Sequence, residues 1–227
     1  MLDGIFVPHI TPFTRDGDLD ETALRTCVRF WLEGGVSGLV PCGSNGEAPY
    51  LYREERKKII KAVVDEVNGK VPVVAGTGSM STKETILFTE DAKDLGADAA
   101  LVVTPYYFKL SGREMHEHYK TLCATVDLPI VLYSVPGRCG IEISVDTVDR
   151  LMHDSPNVVG IKEAGGSADR VSQLRSALGA RFEILSGDDS LTLPFMAVGA
   201  QGVISVASNV IPRQVAQMVR AFASGKA

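Results

Sequence analysis

The sequence has 227 residues, 45% of them hydrophobic and 22% charged, a balance typical of one soluble globular domain with a substantial core. The formal net charge of -5 and the scattered lysines and arginines argue against a nucleic-acid partner. No apolar run approaches the roughly 20 residues of a membrane-spanning helix, and the amino terminus lacks the pattern of a signal peptide. We therefore expect one cytoplasmic domain over residues 1–227, with no membrane partner.

Neither the cysteines nor the histidines show the spacing of a metal site. Cys27, Cys42, Cys123 and Cys139 lie far apart, which predicts reduced, structural thiols rather than a zinc site or a disulfide framework. The four histidines are dispersed as well. We expect no metal ion in this protein.

Eight short apolar runs alternate along the chain with longer amphipathic stretches. The predicted strands cover residues 4–10, 38–42, 71–75, 99–103, 130–134, 158–162, 182–186 and 202–205. Their continuous apolar character is typical of buried parallel strands. Eight such units predict a (β/α)8 barrel, and an open doubly wound sheet is the alternative, because periodicity does not reveal closure.

The stretches between the strands carry the start and stop signals of helices. Asp20 is a predicted N-cap, and the helix that follows it is expected to stop at Gly34. Ser144 and Ser167 precede apolar positions at helical spacing, and Pro212 is suited to the first turn of the last helix.

In barrels of this kind the functional residues follow the carboxyl ends of the strands. The second strand leads into GSNGE, whose backbone N–H groups, Ser44 hydroxyl and Asn45 amide can hold a carboxylate. This loop lacks the Gly-Lys-Ser/Thr ending of a phosphate loop, and a simple turn is the alternative. The fourth strand leads into TPYYFK, where the adjacent Tyr106 and Tyr107 cannot both face inward.

The fifth and sixth strands carry the residues best suited to chemistry. VVGIKEA places Lys162 at the end of an apolar strand, where desolvation lowers the pKa of its amine and makes it a nucleophile. Tyr133 ends the neighbouring strand, and Arg138 follows in SVPGRCG, so both can reach the same mouth. The alternatives are a Lys162 that reaches solvent or pairs with Glu163, a Tyr133 that only fills the core, and a solvated Arg138.

The order of GSNGE, TPYY, YSVPGR and GIKEAGG resembles the dihydrodipicolinate synthase and N-acetylneuraminate lyase family, and the arrangement is most similar to its synthases. The resemblance runs from about residue 4 to the end. It implies a class I aldolase without metal or cofactor, in which Lys162 forms an imine with pyruvate. Tyr133 would transfer protons, linked through Ser44 to a Tyr107 that is contributed across a dimer interface.

The resemblance also assigns the substrate contacts and the assembly. Asn45 matches the position that holds the pyruvate carboxylate, and Arg138 matches the residue that binds the carboxylate of aspartate semialdehyde. Gly187 and Ile204 fall where the family lines the pocket with backbone. A homo-oligomer, either a dimer or a dimer of dimers, is implied.

Several departures keep other functions open. Ser44 with Asn45, in place of two threonines, and YSVP, in place of YNVP, look similar to 4-hydroxy-2-oxoglutarate aldolase, whereas Arg138 favours an acidic aldehyde acceptor. The chain is expected to lack most of the family's C-terminal helical extension. An inactive barrel that binds a 2-oxo acid is therefore a second alternative, and a phosphate-binding barrel built on the eighth strand is a third.

The positions that match the lysine feedback pocket of some synthases hold Arg53, Arg56 and Met80 beside Glu84 and Tyr106. Two additional cations repel a cationic amino acid, so we expect no useful inhibition by lysine. Initial rates measured with and without millimolar lysine test this expectation, and a halved rate would contradict it.

Overall fold

Eight parallel strands form the inner wall of the protein, as described for residues 2–226 by a computed structural model. The strands are β1 (Gly4–Val7), β2 (Gly38–Leu39), β3 (Val74–Gly76), β4 (Ala99–Val103), β5 (Ile130–Ser134), β6 (Val158–Glu163), β7 (Glu183–Ser186) and β8 (Gly202–Ile204). Within those residues the helices are α1 (Glu21–Glu33), α2 (Arg53–Val67), α3 (Thr82–Asp94), α4 (Gly112–Thr125), α5 (Pro136–Cys139), α6 (Val145–Asp154), α7 (Ala168–Leu178), α8 (Thr192–Ala197) and α9 (Pro212–Ala223). Met1 and Ala227 lie outside the described residues, and the assignment of all 227 residues to one catalytic domain stays a prediction.

The strand order closes the sheet into a barrel. Neighbours run β2-β1-β8-β7-β6-β5-β4-β3, and β1 pairs in parallel with both β2 and β8. The remaining gap, between β2 and β3, is bridged by one isolated parallel pair, Leu39 with Val73. The predicted (β/α)8 barrel is therefore confirmed, and the doubly wound alternative is wrong.

Five predicted strands are longer than those observed, the last two by one residue each, and prolines account for most of the difference in the first three. β1 ends before Pro8, and β3 begins only after Pro72, because proline lacks the N–H that a strand ladder needs. β2 ends before Pro41 and Cys42, whose positive φ of 56° turns the chain out of the sheet. These early ends leave more of the chain free to form loops at the mouth.

The helix signals read from the sequence are confirmed. Asp20, Ser144 and Ser167 each accept a hydrogen bond from the backbone N–H three residues later, at 2.9, 3.1 and 3.2 Å. Gly34 follows the last residue of α1, and Pro212 is the first residue of α9. Among residues 2–226, every helix is too short or too polar to span a bilayer.

Alternation along the strands separates an inner core from an outer one. In β4, Leu101 belongs to the cluster inside the barrel, whereas Ala100 and Val102 pack against the helices. The same alternation operates in β6, where Ile161 packs against the helices. Lys162, the next residue, consequently faces the interior of the barrel.

Candidate active site

A cavity of about 310 Å³ lies at the carboxyl ends of the strands. The loops after β1, β2, β3, β4 and β5 and the end of β6 form its wall. Four residues singled out from the sequence line it together: Lys162, Tyr133, Ser44 and Arg138. The fold therefore gathers into one cavity side chains that are up to 118 positions apart in the chain.

Lys162 is the most strongly perturbed cation on this wall. Its side chain is 5% exposed, and its pKa is lowered from 10.5 to about 7, chiefly because burial removes water from the ammonium. Arg138 lowers the pKa further, and Asp189 acts in the opposite direction. Glu163 does not pair with Lys162, because its carboxylate accepts from Arg170 Nε at 2.9 Å. Near neutral pH, a large fraction of Lys162 is a neutral amine.

Tyr133 lies directly beside this amine. The two residues are partners in the β5–β6 ladder, and Lys162 Nζ lies 4.2 Å from the centroid of the Tyr133 ring. Tyr133 is only 6% exposed, and burial raises the pKa of its phenol, while Arg138 and the Ser44 hydroxyl oppose that rise. The phenol is therefore protonated at neutral pH and can donate its proton within the cavity.

Ser44 and Arg138 lie on loops whose local structure the sequence did not reveal. Ser44 begins a turn of 3-10 helix, Ser44–Gly46, which follows a left-handed Cys42 and an extended Gly43. Arg138 lies in α5, a short helix that begins at Pro136 within the segment predicted as a loop. Both side chains are exposed at the mouth, where an incoming substrate would meet them.

A sequence model of the dihydrodipicolinate synthetase family matches residues 1–227. The chain belongs to that family. It is 46% identical over 225 residues to the 4-hydroxy-tetrahydrodipicolinate synthase of Aquifex aeolicus, covering 99% of this chain and 76% of the relative. The synthase of Methanothrix thermoacetophila is 50% identical over 226 residues, again covering 99% and 76%.

Solved structures give the same assignment. The 4-hydroxy-tetrahydrodipicolinate synthase of Methylacidiphilum fumariolicum SolV matches with a TM-score of 0.98 and 46% identity, covering 100% of this chain and 75% of that one. The dihydrodipicolinate synthase of Aquifex aeolicus matches with a TM-score of 0.97 and 45% identity, covering 99% and 76%. The resemblance read from the sequence is confirmed, and the protein is a class I aldolase-type lyase of the dihydrodipicolinate synthetase family.

Tyr107, which the family resemblance places in the catalytic relay, lies outside the cavity of its own protomer. It is 83% exposed, with a positive φ of 79°, and its ring meets Phe108 edge-on at 5.1 Å. This left-handed conformation is uncommon for a bulky residue. The relay through Tyr107 therefore stays a prediction that requires a second protomer.

The remaining predicted residues of the dihydrodipicolinate synthetase site do not line the cavity directly. Asn45 Nδ2 is buried, without a hydrogen-bond partner among the described residues. A Cβ added to Gly187 would lie 3.0 Å from Lys162 Cε and 2.7 Å from Ala164 Cβ, so only glycine leaves room for the lysine stem. Ile204 is buried in the inner core. Their substrate contacts stay predictions.

Two residues of the site were missed in the sequence, and a third, Arg56, was named only at the lysine feedback positions. Glu47 lies on the cavity wall in a left-handed conformation with φ 59°, although the GSNGE motif contains it. Asp189 acts on Lys162, and its carboxylate accepts hydrogen bonds from the Ser205 hydroxyl and, at 2.9 Å, from Ala207 N. Arg56 also lines the cavity. The position of Asp189 in the loop after β7, three residues beyond its last residue Ser186, was the signal available for it.

Proposed function

We propose that this protein condenses pyruvate with L-aspartate 4-semialdehyde to give 4-hydroxy-tetrahydrodipicolinate, in the route to diaminopimelate and lysine, and that it does so in the cytoplasm. The observation that carries the proposal is the buried amine of Lys162 beside the Tyr133 phenol, at the mouth of a barrel whose relatives are named for this reaction. Enzymes of this family use no metal or cofactor.

The proposed chemistry begins at Lys162. Its neutral Nζ attacks the ketone carbon of pyruvate, and loss of water from the carbinolamine gives an iminium that withdraws electrons from the methyl carbon. Loss of a methyl proton gives an enamine, whose carbon attacks the aldehyde of the second substrate. Tyr133 exchanges the protons of these steps. The amino group of the condensed aldehyde then attacks the imine carbon, which closes the ring of the product and displaces Lys162 Nζ as the free amine.

The other predicted residues have supporting roles in this proposal. Asn45 and neighbouring backbone N–H groups hold the pyruvate carboxylate, while Gly187 and Ile204 shape the pocket around it. Arg138 binds the carboxylate of the aldehyde acceptor. Ser44 passes protons between Tyr133 and a Tyr107 that comes from a second protomer, so the working protein is a dimer or a dimer of dimers. The exposure of Tyr107 supports this arrangement.

The choice of acceptor is tested by assaying condensation of pyruvate with aspartate semialdehyde against cleavage of 4-hydroxy-2-oxoglutarate to pyruvate and glyoxylate. We expect aspartate semialdehyde to be preferred, and Arg138→Met to raise its KM about 10- to 100-fold, as expected for the loss of one charged hydrogen-bonding group. Arg113→Met, which removes an exposed arginine at the start of α4, is the matched control. A preference for the glyoxylate reaction would establish the aldolase alternative.

Imine formation with pyruvate alone should follow the protonation of Lys162. Because burial lowers the pKa of the amine to about 7, the rate should rise about tenfold per pH unit below that value and level off above it. Arg138 is a second cause of the lowered pKa, so Arg138→Met should move the midpoint to higher pH. Rates of borohydride trapping measure both profiles. A midpoint that stays in place or moves to lower pH contradicts the assignment, and Arg113→Met should leave it unchanged.

A further inference from the structure

Arg170 is a buried cation that the proposed reaction does not use. It lies in the first turn of α7 and is 7% exposed. Its Nε donates to Glu163 Oε2 at 2.9 Å, its Nη2 donates to the carbonyl of Ile143, and its Nη1 pairs with Glu142 Oε2 at 3.3 Å. The guanidinium therefore joins the end of β6 to the segment that follows α5.

Glu163, the residue after Lys162, gives Arg170 a fixed attachment to the barrel. It is fully buried, and both carboxylate oxygens are occupied, Oε2 by Arg170 and Oε1 by the backbone N–H of Gly165 at 2.6 Å. Burial raises the pKa of the Glu163 carboxyl, and the guanidinium of Arg170 opposes that rise. The contact is thus a charge-assisted hydrogen bond between two buried side chains.

Gly165 brings this contact against the beginning of α5. A Cβ added to Gly165 would lie 2.6 Å from Glu163 Oε1, 2.8 Å from Glu142 Oε1 and 3.7 Å from Pro136 Cγ. A side chain at this position would therefore displace both carboxylates. α5 is packed against the Glu163 contact at its first residue, Pro136, and is tied to Arg170 shortly after its end.

α5 depends on such anchors because it is a single turn. The backbone N–H groups of Arg138, Cys139 and Gly140 donate only to the nearby carbonyls of Val135 and Pro136, at 2.9 to 3.0 Å. A helix this short has little stability of its own. The Arg138 side chain is exposed at the cavity and has no hydrogen-bond or acidic partner within residues 2–226. The placement of α5 therefore determines where the guanidinium of Arg138 lies.

We propose that Arg170 is a positioning residue for the aldehyde substrate: it ties the segment after α5 to Glu163 and so holds Arg138 at the cavity beside Lys162. This inference rests on the proposed function, in which Arg138 binds the carboxylate of the aldehyde. Lys162 and Glu163 are neighbours on β6, so one strand end carries both the nucleophile and the anchor of the acceptor site.

Steady-state kinetics tests the effect on the acceptor. Arg170→Lys keeps the charge, but one ammonium cannot span Glu163, Ile143 and Glu142 as a planar guanidinium does. We expect this variant to raise the KM for aspartate semialdehyde about fivefold and Arg170→Met to raise it about tenfold, with the KM for pyruvate unchanged in both. An equal rise in the two KM values would mean that the whole site is disturbed and would overturn the positioning role.

The pH profile of imine formation is a second readout, and it requires pyruvate alone. Arg138 contributes to the lowered pKa of Lys162, so a displaced α5 should move the midpoint of borohydride trapping to higher pH in Arg170→Met. In a protein that already carries Arg138→Met, the same substitution should cause no further shift, because the arginine that it positions is gone. Equal shifts in the two backgrounds would mean that Arg170 acts directly on the charge of Lys162, which contradicts the proposal.

Thiol labelling reports the placement of α5 without any substrate. Cys139 is the last residue of α5 and lies half-buried on the cavity wall. We expect Arg170→Met to raise the rate at which iodoacetamide alkylates Cys139 about tenfold, while the rate at Cys27 on α1 stays unchanged. Peptide mapping measures both rates in one sample. An unchanged rate at Cys139 would show that α5 keeps its place without Arg170.

Arg175→Met is the matched control on the same helix. Arg175 Nε donates to the carbonyl of Gly199 at 3.1 Å and Nη1 donates to that of Phe182 at 2.9 Å, and none of its described hydrogen bonds reaches α5. Its loss should lower the thermal midpoint but leave the KM values, the pH midpoint and the Cys139 rate unchanged. If Arg170→Met fails to fold, Arg170→Lys takes its place in each test.

The three readouts separate this inference from the proposed function. An enzyme that uses aspartate semialdehyde, but whose Arg170 variants keep the wild-type KM, pH midpoint and Cys139 rate, contradicts this inference alone. A wild-type protein that does not use aspartate semialdehyde, while the pH midpoint and the Cys139 rate respond to Arg170 as expected, contradicts the proposed function alone.

Discussion

Lys162→Met is expected to give no pyruvyl adduct after treatment with pyruvate and borohydride, and to lower the condensation rate by about four orders of magnitude or more. The substitution removes the nucleophile, while the unbranched side chain keeps the packing beside Gly187 and the Tyr133 ring. Intact mass and peptide mapping measure the adduct, and initial rates measure the loss of turnover.

The control for this experiment is Lys109→Met, which removes an exposed lysine on the loop after β4 and should trap pyruvate like the wild type. An adduct on Lys162→Met at the wild-type rate would show that another amine forms the imine. A wild-type protein that is trapped on Lys162 but turns over neither aldehyde would favour the inactive 2-oxo acid-binding barrel.

Tyr133→Phe is expected to lower kcat about 10²- to 10³-fold while pyruvate is still trapped on Lys162. The ring beside the amine remains, so the pocket keeps its shape, but no phenol is left to transfer protons during carbinolamine dehydration and enamine formation. The trapped fraction at equilibrium and the turnover rate, measured on one preparation, separate binding from proton transfer.

Tyr119→Phe is the matched control for the loss of a phenol. Tyr119 is fully buried on α4, and its hydroxyl donates to the carbonyl of Val102 at 3.0 Å, on the outer side of β4. Its loss should cost about 1 kcal/mol of stability and leave kcat unchanged. If Tyr133→Phe retains wild-type kcat, the phenol is not the proton carrier.

Strand bounds and strand-end residues are predicted best from the sequence where the apolar pattern alone determines them. β4 and β5 have the predicted bounds: β4 is an apolar run between Asp98 and Thr104, and β5 is an apolar run that begins after Pro129 and ends at Ser134. The positions of Lys162 and Tyr133 on the cavity wall were predicted for the same reason, because each is a reactive side chain at the end of such a run. Alternation then determined the direction of Lys162, because Ile161 had to face the helices.

The same sequence patterns did not predict loop conformation or charge pairing. Tyr107 and Glu47 have a left-handed backbone without being glycines, so the sequence does not signal it. The sequence therefore did not predict that Tyr107 is exposed or that Glu47 lies on the cavity wall. Arg53 and Arg56 look alike in sequence. Arg53 is nevertheless neutralised by Asp91, a residue on another helix, whereas Arg56 lies on the cavity wall and has no acidic partner within the described part of the chain. Such partners depend on contacts between elements distant in the chain.

Among the described residues, β2 and β3 are joined by a single bridge pair, so the barrel has a weakly paired seam between these two strands. Backbone amides should be protected longest in β5 and β6, whose ladder is in unbroken register from Val131 to Ser134, and released earliest near Leu39 and Val73. Lys162 and Tyr133 lie on β6 and β5, the strands expected to open last. The Ser44 loop follows β2, which borders the seam. We therefore expect local unfolding at the seam to separate the proposed relay residue Ser44 from Lys162, the proposed site of the imine.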